Sequence, residues 1–582
     1  MPRLNSSRPQ PEPFCLFGVP MPTLSLLARS QWRADRLLTL ALLLAVSLFL
    51  LLGLAAPLLA MLQKSVQDAS GQFVGLANFH HYLASPQLRA SAGHTLLIGL
   101  TVSAGVVLLA FGYAFALTRS CMPGRRWFRL LANLPILAPS LLPAISLIYL
   151  FGNQGMLKTW LMGESIYGPI GILLGLGFWC FPHALMLLCT TLGTADARLY
   201  EAARVLKLPS WRRFVLITLA NARYGILSAL VLVFTLAVCD FAVAKVIGGQ
   251  YSLLATDIFK QVVGQQNFTM GAVTSVFLLL PALLAFGLDR WLARRQRGQL
   301  ASNAVIYRPV PHALRDGCCL IFCSLIALFI VTLIGVAIYG SLVSFWPWDL
   351  TLSLRHYDFA STTPYGWQPW FNSLTLAAGV ALFGSALVML GSYLVEKGDG
   401  FGWLRRLISL LGLLPMAVPG MVLGLGYIFF FNQPGNPLAL LYGTMALLVI
   451  NSLCHYYTVG QMTMQAALKQ LPSEIETVAS SLKLPRYLTF WRITLPVCSP
   501  ALLDVAIYLF VNALTTTSAL VFLYSPDTLP AAIAILNLDD AGQTGSAAAM
   551  AVLLLFTAMA AKGVYFLLSH RLGRRTQRWR QR

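Results

Sequence analysis

Apolar residues in this chain run in long unbroken stretches, without the alternation of a half-buried strand or the one-sided stripe of a surface helix. A helix needs roughly 20 largely apolar residues to cross ~30 Å of hydrocarbon. Twelve stretches qualify, at about 37–62, 92–118, 128–151, 168–192, 224–247, 271–293, 317–343, 371–395, 404–431, 438–466, 500–524 and 545–570. Closed barrels also span bilayers, but runs such as Leu38–Leu51 have no in/out alternation. The pattern therefore predicts an all-α polytopic membrane protein with about 12 transmembrane helices.

The polar gaps between the stretches say one thing twice. Residues 201–220 read EAARVLKLPSWRRFVLITLA and residues 477–496 read TVASSLKLPRYLTFWRITLP; nine of the twenty positions are identical at an offset of 276. Both segments follow the fourth stretch of a set of six. Leu134-Pro135 with Pro139, in the third stretch, is echoed by Leu414-Pro415 with Pro419, in the ninth. Six spans per unit preserve the in/out sense, so the chain reads as two tandem six-helix repeats related by an axis along the membrane normal. The expected organisation is a tail over 1–36, a first half over 37–293, a linker over 294–316, a second half over 317–570 and a basic tail over 571–582. The first tail, with Pro9, Pro11 and Pro13, is expected to lack regular structure.

Composition sharpens this. Of 582 residues, 57% are hydrophobic and 10% charged, against about 25% charged in soluble proteins. A soluble enzyme and a disordered scaffold are excluded. The net charge of +21 would suggest nucleic acid if it were spread evenly, but 34 of the 41 Lys and Arg lie in the even-numbered gaps and the two tails, and six in the other gaps. That is the positive-inside bias. It predicts both termini and both repeated loops in the cytoplasm, the bilayer as partner, and no nucleic acid. None of the ten cysteines falls in an outer gap, so free thiols are expected. No Cys/His spacing calls for a metal, and no cofactor is expected.

Each repeated loop predicts a short helix, a stop and a second helical piece leading back to the bilayer. Asp196 in the first copy, and Ser473 with Glu476 in the second, fit N-terminal caps. Lys207-Leu208-Pro209 and Lys483-Leu484-Pro485 force the stop. Trp211 and Phe214, or Tyr487 and Phe490, begin the second piece. Small residues (Ala202, Ala203 and Ala479) are expected to let another body approach closely. Pro135, Pro139 and Pro143, like Pro415 and Pro419, interrupt helical bonding within apolar stretches, either as hinges lining a path or as static kinks. Asp240 is the sole acid well inside an apolar stretch, at about 2.5–3.5 kcal/mol if it faced lipid. Its mate at offset 276 is Thr516, flanked by Thr515 and Thr517. The carboxylate either meets a cationic group in a central path, or is structural: paired with Lys245, or a cap.

The repeated loops resemble the EAA motif of ABC importer permeases, roughly E-A-A-x-x-x-G followed by a hydrophobic-Thr-Leu-Pro ending. Glu201-Ala202-Ala203 and Ile217-Thr218-Leu219 match in the first half, and Ala479 with Ile493-Thr494-Leu495-Pro496 in the second. Lys207 and Lys483 stand where the family has Gly, Ala220 replaces the final Pro, and Thr477 replaces Glu. The resemblance implies the type I importer fold in a bacterial inner membrane. It also implies loops that couple to a cytoplasmic ABC ATPase dimer through Glu201, Ala202, Ala203, Lys207 and Pro209, and through Thr477, Ala479, Lys483 and Pro485. A periplasmic solute-binding protein would deliver the small-molecule cargo. No G-x-x-x-x-G-K-[ST] loop occurs, so the chain is expected to be a transport subunit, not an enzyme. Among fused permeases, the segment from Cys239-Asp240-Phe241 to Asn267-Phe268 looks most like those for 2-aminoethylphosphonate. Iron(III) and thiamine permeases are the alternatives, and an ion-coupled secondary transporter is a remote one.

Overall fold

The computed structural model describes residues 22–194, 196–297, 305, 307–472, 474–482 and 484–576. Among these, nine helices are long and apolar enough to cross a bilayer, and two further helix pairs pass the same test together but are sharply bent. Met445–Lys469, at 25 residues, is long enough as well. It carries Asn451, His455 and Gln461, which leave it short on apolarity, and it packs between Gln368–Lys397 and Leu495–Thr515.

Four of the twelve spans expected from the pattern differ in detail. The third and ninth stretches are not single rods: Arg125–Leu137 meets Leu141–Phe151 at 102°, and Gly402–Ala417 meets Gly420–Phe431 at 116°. The fifth and eleventh end early, at Cys239 and Thr515. The first tail is also corrected, since helix begins at Pro22; its first 21 residues and the end of the basic tail lie outside the described residues.

The repeat is visible element by element. Each half has a long helix (Pro86–Arg119; Gln368–Lys397), a bent pair, a straight helix (Pro169–Gly193; Met445–Lys469) and the repeated loop. Then come a helix that stops short (Ala220–Cys239; Leu495–Thr515), an irregular stretch, a short helix (Leu254–Phe259; Ala531–Asp540) and a closing helix (Phe268–Arg297; Thr544–Thr576).

The leading helix of each half crosses over. Ala56–Ser65 packs on Gly420–Phe431 of the second half, and Ala313–Leu342 packs on Leu141–Phe151 of the first. Matching contacts fix both crossings. The Tyr427 hydroxyl donates to the Gly53 carbonyl at 2.8 Å, while a Cβ on Gly340 would lie 2.7 Å from the Tyr149 ring. Gly53 sits in a π-helical turn, Leu51–Ala55; such turns free carbonyls from the helical ladder. Among the described residues one two-stranded sheet is formed, the hairpin Val343–Phe345 with Asp349–Leu352 after the second crossing helix, and a single antiparallel bridge, Gln67 to Phe73, follows the first.

Candidate functional site

Two regions hold the residues that the sequence singled out. The first is the pair of repeated loops on the basic face. Asp196 caps the helix Ala197–Val205 as expected, accepting from the Arg198 N–H at 3.0 Å. The second copy forms Glu474–Ser481; its expected cap Ser473 and its coupling residue Lys483 lie outside the described residues. Both helices end in the same way. The Leu208 N–H donates to the Ala203 carbonyl and the Leu484 N–H to the Ala479 carbonyl, each at 3.0 Å. Lys207 then takes φ +51°, the left-handed conformation that favours glycine. This is the family's Gly position. Pro209 and Pro485 precede the next helical turns with ψ 155° and 146°, and both copies continue through a π-helical segment, Phe214–Leu219 and Phe490–Thr494.

The alanines do a different job from the one expected. Ala203 and Ala479 are 3% and 7% exposed, buried against the chain itself: Ala203 packs with Tyr200 and Ile217. Their small size lets the loop helix lie close on the segment that follows. The outward residues are Glu201, Ala202 and Thr477, with large apolar side chains at matched positions: Leu206 is 71% exposed and Leu482 65%.

Position 200/476, where sequence reasoning had noted only Glu476 and only as part of a cap, ties each loop helix to the long helix of its own half. Buried Arg119 lies over the Tyr200 ring at 5.1 Å and donates to the Leu192 carbonyl at 2.7 Å. In the second half Lys397 pairs with Glu476 at 3.1 Å and donates to the Leu471 carbonyl at 3.2 Å. The cation at the C-terminal end of the long helix is the recurring feature, and Arg119/Lys397 could have been found by aligning the two halves. The copies differ in dressing. The linker covers the first, with the Tyr307 ring tilted against Tyr200 at 4.6 Å and the Ala197 N–H donating to the Val305 carbonyl at 2.9 Å. At the second, Asp35 of the leading helix accepts from the Arg486 N–H at 3.3 Å.

The second region is the seam between the halves. Asp240 and Thr516 stand at the same point of the fold, each the first extended residue past its helix, with φ/ψ of −73°/132° and −71°/134°. Among the described residues no hydrogen bond or ion pair joins them. Asp240 is a cap, accepting from the Val243 N–H at 3.0 Å. The expected pairing with Lys245 is not formed, because Lys245 reaches Asp540 of the other half at 2.9 Å. Thr516 and Thr517 are buried, and Thr515 donates back to the Val511 carbonyl at 3.0 Å. Pro135, Pro139, Pro415 and Pro419 are buried at the two sharp bends, so they mark breaks, not gentle kinks. The bent pairs lie where the halves meet.

Aromatic rings close the seam on the face away from the loops. Phe241 and Phe259 are 5.2 Å apart and Phe259 meets Phe522 of the other half at 6.4 Å. The Lys245 ammonium lies 5.5 Å above the Phe259 ring. These contacts were missed because aromatic residues within apolar runs carry no sign of which ones face a partner half.

Among the described residues no group of three or more His, Cys, Asp or Glu could hold a metal, and the nine described cysteines are free. The profile of one family, the "Binding-protein-dependent transport system inner membrane component", matches residues 109–298 and 388–574. The ferric transport system permease protein FbpB of Actinobacillus pleuropneumoniae is 28% identical over 473 residues, covering 78% of this chain and 68% of the relative. The Fe(3+)-transport system permease protein FbpB 2 of Haemophilus influenzae is 25% identical over 491 residues, covering 83% and 90%. The sulfate transport system permease protein CysT of Escherichia coli is 26% identical over 254 residues, covering 42% of this chain and 90% of its own.

Proposed function

We propose that this chain, which belongs to the family of binding-protein-dependent transport system inner membrane components and is the permease of an ABC importer, carries iron(III). The supporting observation is the likeness to two ferric permeases along most of its length, where the sulfate permease likeness covers less than half. The charge of the seam fits a cationic cargo: Asp539 and Asp540 stand near one lysine, Lys245, which pairs with Asp540, and Asp240 adds a third carboxyl at the end of its own helix. The second reading, 2-aminoethylphosphonate, rests on the loop segment from Cys239 to Phe268.

In this reading the basic face is cytoplasmic and carries both termini, as the distribution of Lys and Arg requires. Leu206 and Leu482 are the apolar centres of two docking surfaces for an ATPase dimer, with Glu201, Ala202, Lys207 and Pro209 around the first and Thr477 and Pro485 around the second, to which Lys483 belongs by its place in the sequence. Ala203 and Ala479 act from beneath. Closure of the ATPase moves the loop helices; Arg119 and Lys397 pass the movement to the long helices, and the bent pairs carry it to the seam. The two surfaces differ in charge, with Arg198 and Arg204 beside Glu201 on the first helix and Glu474 and Glu476 on the second.

The test is uptake. The chain, co-reconstituted with its ATPase and binding protein in proteoliposomes, is offered radioactive iron(III) and, separately, labelled 2-aminoethylphosphonate. ATP-dependent accumulation of iron alone is expected. Accumulation of the phosphonate alone would replace the cargo assigned here, and uptake persisting without ATP would overturn the coupling as well.

A further inference from the structure

The two crossings are pseudo-symmetric, but the space beside them is not filled alike. At the second crossing the helix stops at Leu342 and the hairpin folds back into the gap. The Trp346 indole N–H donates to the Gln154 carbonyl at 3.1 Å and its ring lies 5.3 Å from Tyr149. The His356 ring packs so tightly on Gly545 that an added Cβ there would sit 2.5 Å away. At the first crossing the helix runs on to Ser65, and the tight hairpin that follows, with Gln67 bridged to Phe73 and the Val74 N–H donating to the Val66 carbonyl at 2.9 Å, stops at the rim of an open groove of about 730 Å³.

The walls of that groove come from both halves, with Ala60, Phe268, Ile428 and Phe429 as its apolar part and carboxamides around them. Gln63 and Lys64 line one side, Gln265 and Gln266 a second, and Asn432 and Gln433 of the other half a third. Among the described residues none of these five carboxamide side chains is bonded to another protein group. Lys64 has no carboxylate partner: its ammonium reaches only the Asp68 carbonyl, at 3.4 Å. The Asp68 carboxylate is turned to its own loop, accepting from the Ser70 hydroxyl at 2.7 Å and the Gln72 N–H at 2.9 Å. No acidic residue lines the groove. Carboxamides donate or accept as the ligand requires, so the one ammonium sets the sign, and with amide N–H donors around it the groove suits an oxyanion.

We propose that this groove binds a small oxyanion (phosphate, sulfate or carboxylate, free or as a lipid headgroup) that bridges the halves where Trp346 bridges them permanently on the other side. Its walls belong to both halves, so its occupancy depends on how they stand relative to each other, and the anion biases that arrangement in return. The site is separate from the acidic seam and does not depend on which cargo is carried.

The experiment uses the full-length purified chain in nanodiscs of zwitterionic lipid, with inorganic phosphate and sulfate as probes in equilibrium dialysis. A parallel arm adds phosphatidylglycerol and counts retained lipid by native mass spectrometry. Saturable binding is expected, weakened about tenfold or more in Lys64→Gln, the loss of one charge-assisted contact, and unchanged in the control Arg355→Gln. Ala60→Trp fills the groove as Trp346 fills its mate and should abolish binding without removing a charge, with thermal unfolding checked for both variants. Free-anion binding or competing headgroup retention each supports the site and identifies its source. Absence of both in the parent chain, or binding untouched by Ala60→Trp, overturns it.

Discussion

Lys207 shows what one residue can store. A left-handed conformation strains a non-glycine residue by roughly 1–2 kcal/mol, and Lys207 holds φ +51° where the family has Gly. The strain is held by the bond from the Leu208 N–H to the Ala203 carbonyl, which ends the loop helix. Lys207→Gly should relieve it, so exchange of the Leu208 amide should slow by about fivefold, the lower end of that strain. Faster exchange in the glycine variant would mean that the lysine side chain stabilises the turn by some other contact. The anchoring residue beneath the helix makes the opposite prediction. Arg119 is buried and holds both the Tyr200 ring and the Leu192 carbonyl. Arg119→Met keeps much of the stem's packing but removes the charge-assisted bond and the cation–π contact. Uptake per ATP hydrolysed should fall, while the amount of assembled complex, read by copurification of the ATPase, should hold. Equal loss of both would make Arg119 a folding residue only.

Between elements, the crossings depend on glycine. A Cβ on Gly53 would lie 2.6 Å from the Cys454 sulfur, and the Gly53 carbonyl, released by its π-turn, is satisfied by Tyr427. Gly53→Ala should therefore lower the thermal midpoint, and Cys454→Ala in the same chain should restore most of it, since the clash needs both partners. Tyr427→Phe leaves a buried carbonyl unpaired and should lower stability by about 1–3 kcal/mol; additive, unlinked effects of Gly53 and Cys454 would show the crossing to be packed otherwise. The sequence carried only part of this level. The offset of 276 placed both loops and the Asp240/Thr516 pair at matching points, because a repeat in sequence must be a repeat in fold, but it did not show that the helices before that pair end early. The prolines marked where the third and ninth stretches break but not by how much, since a kink and a 102° turn have the same local signature. Which half each leading helix would join was not legible at all: an apolar stretch specifies burial and leaves the partner open. The Trp346 hairpin and the Phe259–Phe522 contact were hidden for the same reason, their partners lying far away along the chain.

For the whole molecule, what matters is that the two halves are held together at the seam by one ion pair and a set of aromatic rings. Lys245 and Asp540 clasp the two halves at 2.9 Å, with side chains 25% and 51% exposed, so solvent and salt screen the pair and its share is about 0.2–1 kcal/mol. The Phe241, Phe259 and Phe522 rings beneath it are mostly dry, with Phe241 fully buried, and edge-on or offset aromatic contacts of this kind add about 0.5–1.5 kcal/mol apart from the area they bury. The rings should therefore hold the seam more firmly than the ion pair does. In the function proposed above that seam opens once per cycle, and an equilibrium moves only as far as the difference in free energy between its two states allows. Lys245→Asp should raise ATP hydrolysis in the absence of binding protein by no more than about fivefold, the upper end of an exposed pair. The exchanged pair, Lys245→Asp with Asp540→Lys, should bring it back toward the parent value. Phe259→Ala, which removes a ring touching both Phe241 and Phe522, should raise it further than Lys245→Asp and should not respond to salt, whereas the effect of Lys245→Asp should shrink at high ionic strength. Basal hydrolysis unchanged in Phe259→Ala would mean that the seam is not what restrains the resting transporter, and the restraint would then lie in the loop helices and their anchors at Arg119 and Lys397.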